Sequence, residues 1–584
     1  MEARMTVHHQ QGTRHFVCTA GEPVAPLLRD AGLLPLPCGL GKCGKCLIYA
    51  DTAPTDEERS LLGERRLAAG LRLACHTRAR DGLEITVPHA GALKVLTQYA
   101  DMDYVREPLV RRVPLAVGEA TLEDQRSDVQ RLLTAAQAGG HELTLEELTA
   151  LPAQLRSGEA LAALLHGEKL LGLRPQGTSH ALIVDIGTTT VAALLADLDG
   201  QRIVAALGER NAQSPYGADV ISRIHREMEW EKAGRQGSNP LQAAICRQID
   251  DMLQRLLAES GIQDVDMLSL TGNTTMLHLL CGLPGEHISK APFIPVTLEP
   301  MCLPAQRLGI RSAGRCFLMP GISSYIGADI VASLLAADAH HPQEPFLLVD
   351  LGTNAETVLY ADGKLLACSA AAGPCFEGAT LSCGMAGQDG AIDAVEADAA
   401  QGLRFSTIGG APAQGICGSG VLDALALLLD AGCVDETGRL EAGDSPLGRR
   451  IRDDALLLTE TVRFTQRDIR EVQLAKAAVR AGMEILLQEA GLRHEDVRRL
   501  YLAGGFGSAM RPRSAARIGL IPAGLEQRVH VLGNAASFGA LRYVSEKGAQ
   551  AAAAELIRQT RYIELSAHGG FSESYVEQMI FPAA

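Results

Sequence analysis

Short apolar runs that end in polar turns mark the centre of this chain. Ala181-Leu-Ile-Val184 reads as a buried strand ending in Asp185 and a tight turn at Gly187. Three hydroxyl residues follow, Thr188, Thr189 and Thr190, then an apolar run from Val191 to Leu198, an Asp199-Gly200 turn and a returning strand over Gln201 to Ala206. The pattern recurs 165 positions on (350 − 185): Phe346-Leu-Leu-Val-Asp350 leads into Gly352, Thr353 and Asn354. Behind them come a strand from Glu356 to Tyr360, an Asp362-Gly363 turn and another strand from Lys364 to Ser369. Two copies of one strand, turn and hairpin unit predict an internal duplication. Elsewhere the period is helical. Leu241, Ile245, Ile249, Leu253 and Leu256 give Asn239 to Ser260 one buried face, and Gln473 to Gly491 has another.

Each turn offers backbone N–H and hydroxyl donors to phosphate, and its aspartate suits a hydrated Mg²⁺. A single Asp-x-Gly-Thr turn also arises for purely structural reasons; the repetition argues against that here. Asp185-Ile-Gly-Thr-Thr and Asp350-Leu-Gly-Thr-Asn resemble the two phosphate motifs of the superfamily of actin, sugar kinases and heat-shock chaperone ATPases. Leu502-Ala-Gly504-Gly505-Phe-Gly507 is similar to its adenosine motif, and Thr271 to Thr275 and Gly533 to Ala540 fall where its connecting segments are expected. The resemblance spans roughly residues 180–545 and implies ATP in a cleft between two α/β lobes of the actin-like, ribonuclease H-like kind. Carried over residue by residue, it makes Asp185 and Asp350 organisers of Mg²⁺ and the attacking water. It assigns Gly187, Thr188, Thr189, Thr190, Gly352, Thr353 and Asn354 to the phosphates, and Gly504, Gly505 and Gly507 to the adenosine.

The remaining length and composition change the picture in three ways. A chain of 584 residues has room for several domains, and 47% hydrophobic with 21% charged residues is an ordinary globular composition. A net charge of −15 argues against general nucleic-acid binding. No apolar run approaches the roughly 18 residues that span a bilayer, and the first residues have no apolar signal core. No membrane association is expected, and the chain is placed in the cytoplasm, where fourteen cysteines do not suggest a disulfide framework.

Four of those cysteines are spaced for a metal. Cys38, Cys43 and Cys46 form C-x4-C-x2-C, and Cys75 follows 29 positions later (75 − 46); this is the plant-type spacing for a [2Fe–2S] cluster. Three thiolates converging from one loop need close backbone approach, which Gly39, Gly41 and Gly44 supply. A structural zinc site would instead use two short-spaced cysteine pairs. Strands at Met5 to His9, Thr13 to Thr19, Leu47 to Ala50 and Leu83 to Val87, with a helix near Pro23 to Ala31, resemble the β-grasp fold of such ferredoxins. Cys18 reads as a core residue and His76 as a bystander.

These readings divide the chain into a ferredoxin-like domain over 1–92, a charged linker over 93–112, a small middle domain for packing or dimerisation over 113–178, and the ATPase over 179–584. The fold class is thus multidomain α/β and α+β. Helices are predicted over Thr121 to Ala138 and Thr144 to Arg156, with Thr144 and Glu147 spaced as a capping box. Cys368, Cys375, Cys383 and Cys417 lack metal-like spacing and read as small buried hydrophobes. Lys476 reads as a solvated lysine, with an ATP contact as the alternative, and the glycine run from Gly415 to Gly420 as a tight turn or an anion site.

A plant-type ferredoxin fused to an actin-like ATPase is more specific than either half. In arrangement the whole chain resembles the reductive activators of corrinoid proteins, down to Gly373-Pro-x-Phe-Glu-Gly, Leu474-Ala-Lys-Ala-Ala and Ala503-Gly-Gly-Phe-Gly. That resemblance implies ATP-dependent, one-electron reduction of inactive Co(II) corrinoid to Co(I) for methyl transfer. It also implies a corrinoid protein partner, an external low-potential electron donor and a homodimer. The alternatives are an ATP-driven donor to another low-potential enzyme, as in dehydratase activators, and a redox-regulated small-molecule kinase.

Overall fold

The computed structural model describes residues 2–9, 12–31, 33–34, 46–68, 70–87, 107–234, 239–340, 342, 344–507 and 509–583. Strict alternation along Glu2–His9 buries Ala3, Met5 and Val7, and Ile48, Leu83 and Ile85 complete the same core. The sheet runs Gly12–Thr19, Glu2–His9, Leu83–Thr86, Leu47–Ala50, Leu71–Leu73. The helix Val24–Asp30 covers it with Val24, Ala25 and Leu28. This is the expected β-grasp arrangement, with an addition that periodicity did not predict, the helix Asp56–Ala68. Thr55 and Glu58 cap it reciprocally (3.2 and 2.8 Å). Buried Glu58 also accepts the Leu73 N–H at 2.6 Å and so fixes the strand leading to Cys75.

Residues 110–175 form a four-stranded sheet in the order Val110–Pro114, Leu161–His166, Lys169–Pro175, Gly140–His141. Its first strand lies across the expected linker boundary. The predicted capping box at Thr144 and Glu147 is present (3.2 and 2.7 Å) and opens the helix Leu145–Leu155. The preceding helix is shorter than predicted: Ser127 and Gln130 cap it, so it spans Asp128–Ala136 rather than starting near Thr121. Arg112 joins this domain to the next through a paired contact with fully buried Asp266, both bonds 2.9 Å.

The duplication seen in the sequence is a duplication of topology. One six-stranded sheet runs Arg202–Arg210, Thr190–Asp197, His180–Ile186, Met267–Gly272, Arg315–Leu318, Met301–Pro304. The other runs Val529–Gly533, Arg499–Ala503, Phe346–Leu351, Ala355–Ala361, Lys364–Ala370, Thr560–Tyr562. Each sheet has a first strand, antiparallel to its hairpin on one side and parallel to a later strand on the other. Those first strands, His180–Ile186 and Phe346–Leu351, are nearly all apolar because both faces are covered. Their aspartates are the exception, since the carboxyl ends of the strands open on the crevice. No helix among the described residues is long and apolar enough to cross a membrane.

Candidate functional site

The first loop is built from the strand outward. Gly187 is required because a β-carbon there would stand 2.7 Å from the Thr190 carbonyl oxygen. Asn211, buried at the end of the hairpin, donates to the Gly187 carbonyl at 2.8 Å. Arg223, fully buried, donates to the carbonyls of Thr188 (2.5 Å) and Gly217 (3.0 Å) and to Gln213 Oε1 (3.3 Å). Burial pushes its guanidinium down to about 9. Asn273 donates to the Thr188 hydroxyl at 3.1 Å while its own oxygen caps the helix Thr274–Cys281. The loop is thus held from three separate segments, by buried Asn211 and Arg223 and half-buried Asn273.

Glu377 joins the two loops. Its Oε2 accepts the hydroxyl of Thr189 at 2.6 Å and that of Thr353 at 3.1 Å. In the second loop the Gly352 N–H donates to the Asn354 carbonyl at 2.9 Å. Asp185 lies opposite Thr271, and Asp350 opposite Ala503, in the parallel strand pairs. A β-carbon on Gly504 would sit 2.5 Å from Asp350 Oδ1, so this glycine, at φ +83°, lets the third loop close on the second aspartate. Gly505 has open space, and Gly507 packs against Leu502. Between them Phe506 stacks on Phe376, ring centroids 5.0 Å apart and 9° from parallel.

Four carboxyl groups by the two loops act on one another electrostatically, although no three of them converge closely enough to ligate a bare ion among the described residues. Burial raises Asp185 and Glu356 well above the ordinary carboxylate range, Asp350 to about 7 and Asp329 to about 6. Repulsion from Asp329 adds to the shift of each of the other three. Carboxyls held this way lack a compensating positive charge; a hydrated divalent cation has the size and hard-oxygen preference to supply one. The donors above them, hydroxyl and N–H, suit phosphate oxygens.

The sequence reading missed Asp329, Glu356, Glu377, Arg223 and Asn211. Glu377 sits in a quoted motif, Gly373-Pro-x-Phe-Glu-Gly, but nothing in its spacing gave it a task. Lys476 is corrected: its Nζ donates to the Ile580 carbonyl at 2.6 Å and lies 4.9 Å from the Phe581 ring, so it serves the C-terminal segment and not the cleft. The glycine run also has a packing role. A β-carbon on Gly418 would stand 2.2 Å from the Phe376 carbonyl oxygen and 2.5 Å from the Phe506 ring.

In the N-terminal domain, Cys46 and Cys75 bring their sulfurs to 3.1 Å, and the Ala74 N–H donates to the Cys46 carbonyl at 2.8 Å. Two thiols this close from separate segments, without a disulfide, fit ligands of one metal centre; two thiolates on one tetrahedral metal would stand about 3.8 Å apart given ~2.3 Å bonds. Cys38 and Cys43 lie outside the described residues. Cys18 leans on the domain core and points its thiol at the Ala3 carbonyl (3.7 Å).

Comparison with known proteins covers nearly the whole chain. Residues 7–80 match the 2Fe-2S iron-sulfur cluster binding domain, 100–180 the RACo linker region, 180–342 the RACo middle region, and 344–584 the C-terminal, ASKHA domain of RACo. The corrinoid activation enzyme RamQ of Eubacterium limosum is 28% identical, with 96% of each chain covered. The [Co(II) methylated amine-specific corrinoid protein] reductase of Methanosarcina barkeri is 27% identical over 63% of this chain and 70% of its own. A solved structure, the reductive activator for corrinoid, iron-sulfur protein, is 30% identical with a TM-score of 0.73, covering 99% of this chain and 98% of that one. With a thiol pair at one end, a two-loop cleft at the other and a full-length match to that structure, this chain belongs to the family of reductive activators of corrinoid proteins.

Proposed function

We propose that this protein is an ATP-hydrolysing iron–sulfur reductase that returns the inactive Co(II) corrinoid of a partner protein to the methyl-accepting Co(I) state. The observation that carries this is the joining of two sites in one chain: converging thiols in a ferredoxin fold and a cleft in which one carboxylate receives hydroxyls from both loops.

Cys38, Cys43, Cys46 and Cys75 hold the [2Fe–2S] cluster. When bound, it supplies one-electron chemistry at about −400 mV. Co(I) corrinoids lie lower, and each 100 mV uphill costs about 2.3 kcal/mol per electron, which is the work assigned to ATP. Gly187, Thr188, Thr189, Thr190, Gly352, Thr353 and Asn354 bind the phosphates, while Gly504, Gly505 and Gly507 line the adenosine side. Asp185 and Asp350 would hold Mg²⁺, which would supply positive charge to offset the phosphates. Closing the cleft onto ATP draws the two lobes together through both loops. That movement gives the chain a way to favour one state of a docked partner over another. An external donor, a homodimeric assembly and a cytoplasmic setting belong to the same proposal, supported by family resemblance.

The test separates the two sites. Cys46→Ser should abolish cobalt reduction while leaving ATP affinity within a factor of two. Asp185→Asn should abolish hydrolysis while leaving the visible spectrum of the N-terminal domain unchanged. Cobalt reduction at the parent rate by Cys46→Ser would remove the electron route from the proposal.

A further inference from the structure

Three features of the cleft point to one side chain. Glu377 is the carboxylate on which both loops converge: hydroxyls from opposite lobes, Thr189 and Thr353, donate to the same oxygen. If those hydroxyls hold the terminal phosphate, as the nucleotide reading requires, Glu377 stands at the edge of that phosphate. Its second oxygen also lies against the second loop, 3.5 Å from where a β-carbon on Gly352 would be. Arg210, in register with Thr190 at the end of the first hairpin, lies within electrostatic reach of Glu377 and forms no ion pair with any described residue.

The neighbouring carboxyls are placed for a different task. Asp185 and Asp350 at the strand ends, Glu356 on the second hairpin and Asp329 at a helix start repel one another, and Glu377 adds to the repulsion on Asp350; a divalent cation would relieve it. Glu377 instead reaches over from the turn between Gly373 and Gly378. That turn is anchored by the Phe376–Phe506 stack and by the close approach of Gly418 to Phe376. A carboxylate carried on a braced turn, within hydrogen-bond reach of the phosphate's own donors, has the position of a general base.

We propose that Glu377 is the catalytic residue that accepts the proton of the attacking water in ATP hydrolysis, an assignment that rests on the nucleotide reading of the cleft. The water oxygen forms a bond to the γ-phosphorus as the bond from that phosphorus to the β–γ bridging oxygen breaks. ADP departs with the bridging oxygen, and the proton passes to the Glu377 carboxylate and from there to solvent with the released phosphate. Before ATP enters, Glu377 holds the two hydroxyls that the terminal phosphate will take, so the carboxylate gives up those bonds as ATP binds while its braced turn keeps it beside the phosphate.

The experiment compares the parent with Glu377→Gln and Glu377→Asp in the full chain. Calorimetry with Mg-ADP and a non-hydrolysable ATP analogue measures binding, and single-turnover hydrolysis of γ-labelled ATP across pH measures chemistry. Glu377→Gln should bind nucleotide at least as tightly as the parent yet hydrolyse it about 100-fold more slowly or worse. Glu377→Asp should recover part of the rate. Hydrolysis by Glu377→Gln within threefold of the parent, or a loss confined to binding, overturns the assignment. Absence of nucleotide binding by the unaltered protein overturns the cleft reading itself, and this inference with it.

Discussion

Gly539 crosses Ala332 so closely that a β-carbon on it would stand 1.7 Å from the Ala332 carbonyl oxygen. The two residues belong to the helices Ala535–Ser545 and Ala328–Ala336, which follow strands of the two different sheets. Ser269, on a strand of the first sheet, donates to the Ala540 carbonyl at 2.7 Å, and Arg542 reaches the Leu335 carbonyl and Asp338, both at 2.7 Å. The crossing therefore ties the lobes together beneath the cleft. Alanine would gain about 1 kcal/mol of helix propensity over glycine, but the overlap can be relieved only by moving a helix. Gly539→Ala should lose about 3 kcal/mol or more in chemical denaturation and most of its ATP hydrolysis; a stability gain would show that the helices are free to part.

Asp329 sits at the head of one of these helices and repels three other carboxyls. Their raised values mean that the folded protein holds protons the unfolded chain releases above about pH 4, so stability falls as pH rises from there to about 7. Asp329→Asn should therefore stabilise the cation-free protein by about 1–2 kcal/mol at pH 7.5, and by much less at pH 4.5. Trp230, the one tryptophan, reports on this lobe by fluorescence. The same variant should bind Mg-ATP more weakly.

Arg223→Lys keeps a positive charge but cannot serve carbonyls on two turns and an amide at once. Nucleotide affinity should fall about tenfold or more, measured by calorimetry, with the far-ultraviolet circular dichroism spectrum unchanged.

Burial lowers Lys476 to about 7, so between pH 7 and about 10 the unfolded chain binds a proton that the folded one does not. Stability then rises with pH in that window, by roughly 1.4 kcal/mol per unit. Arg480 adds to the shift, and the Ile580 carbonyl accepts from the amine. Relative to Lys476→Met, the parent should gain stability from pH 7.5 to 9.5 in urea titrations; parallel pH profiles would contradict the burial argument.

Much of this site was legible because strand ends write themselves locally. Asp185 and Asp350 each close an apolar run and precede a glycine turn, and both fall in the cleft. Gly187 through Thr190 and Gly352 through Asn354 follow from the same pattern; of the four spaced cysteines, Cys46 and Cys75 come together, while Cys38 and Cys43 lie outside the described residues. Asp329 and Glu377 were not legible. Asp329 opens a helix in a sequence, Ile326-Gly-Ala-Asp, that has no phosphate-loop pattern. Glu377 lies 188 positions from the Thr189 hydroxyl it accepts, so only lobe packing reveals the pair. Lys476 misled for a related reason. Its helix was predicted, but which face met the C-terminal residues could not be read from its period. The early part of the helix, Gln466 to Val472, was missed because its cap at Thr465 and Asp468 lies ahead of the apolar repeat.

The central claim is ATP-driven cobalt reduction, and one anaerobic optical experiment tests it most directly. Reduced protein is mixed with the Co(II) form of a methyltransferase-system corrinoid protein, and the Co(I) absorption band is followed with and without Mg-ATP. A Co(I) band should appear only when Mg-ATP is present. Cobalt that stays Co(II) while ATP is hydrolysed would contradict it and turn attention to another low-potential electron acceptor.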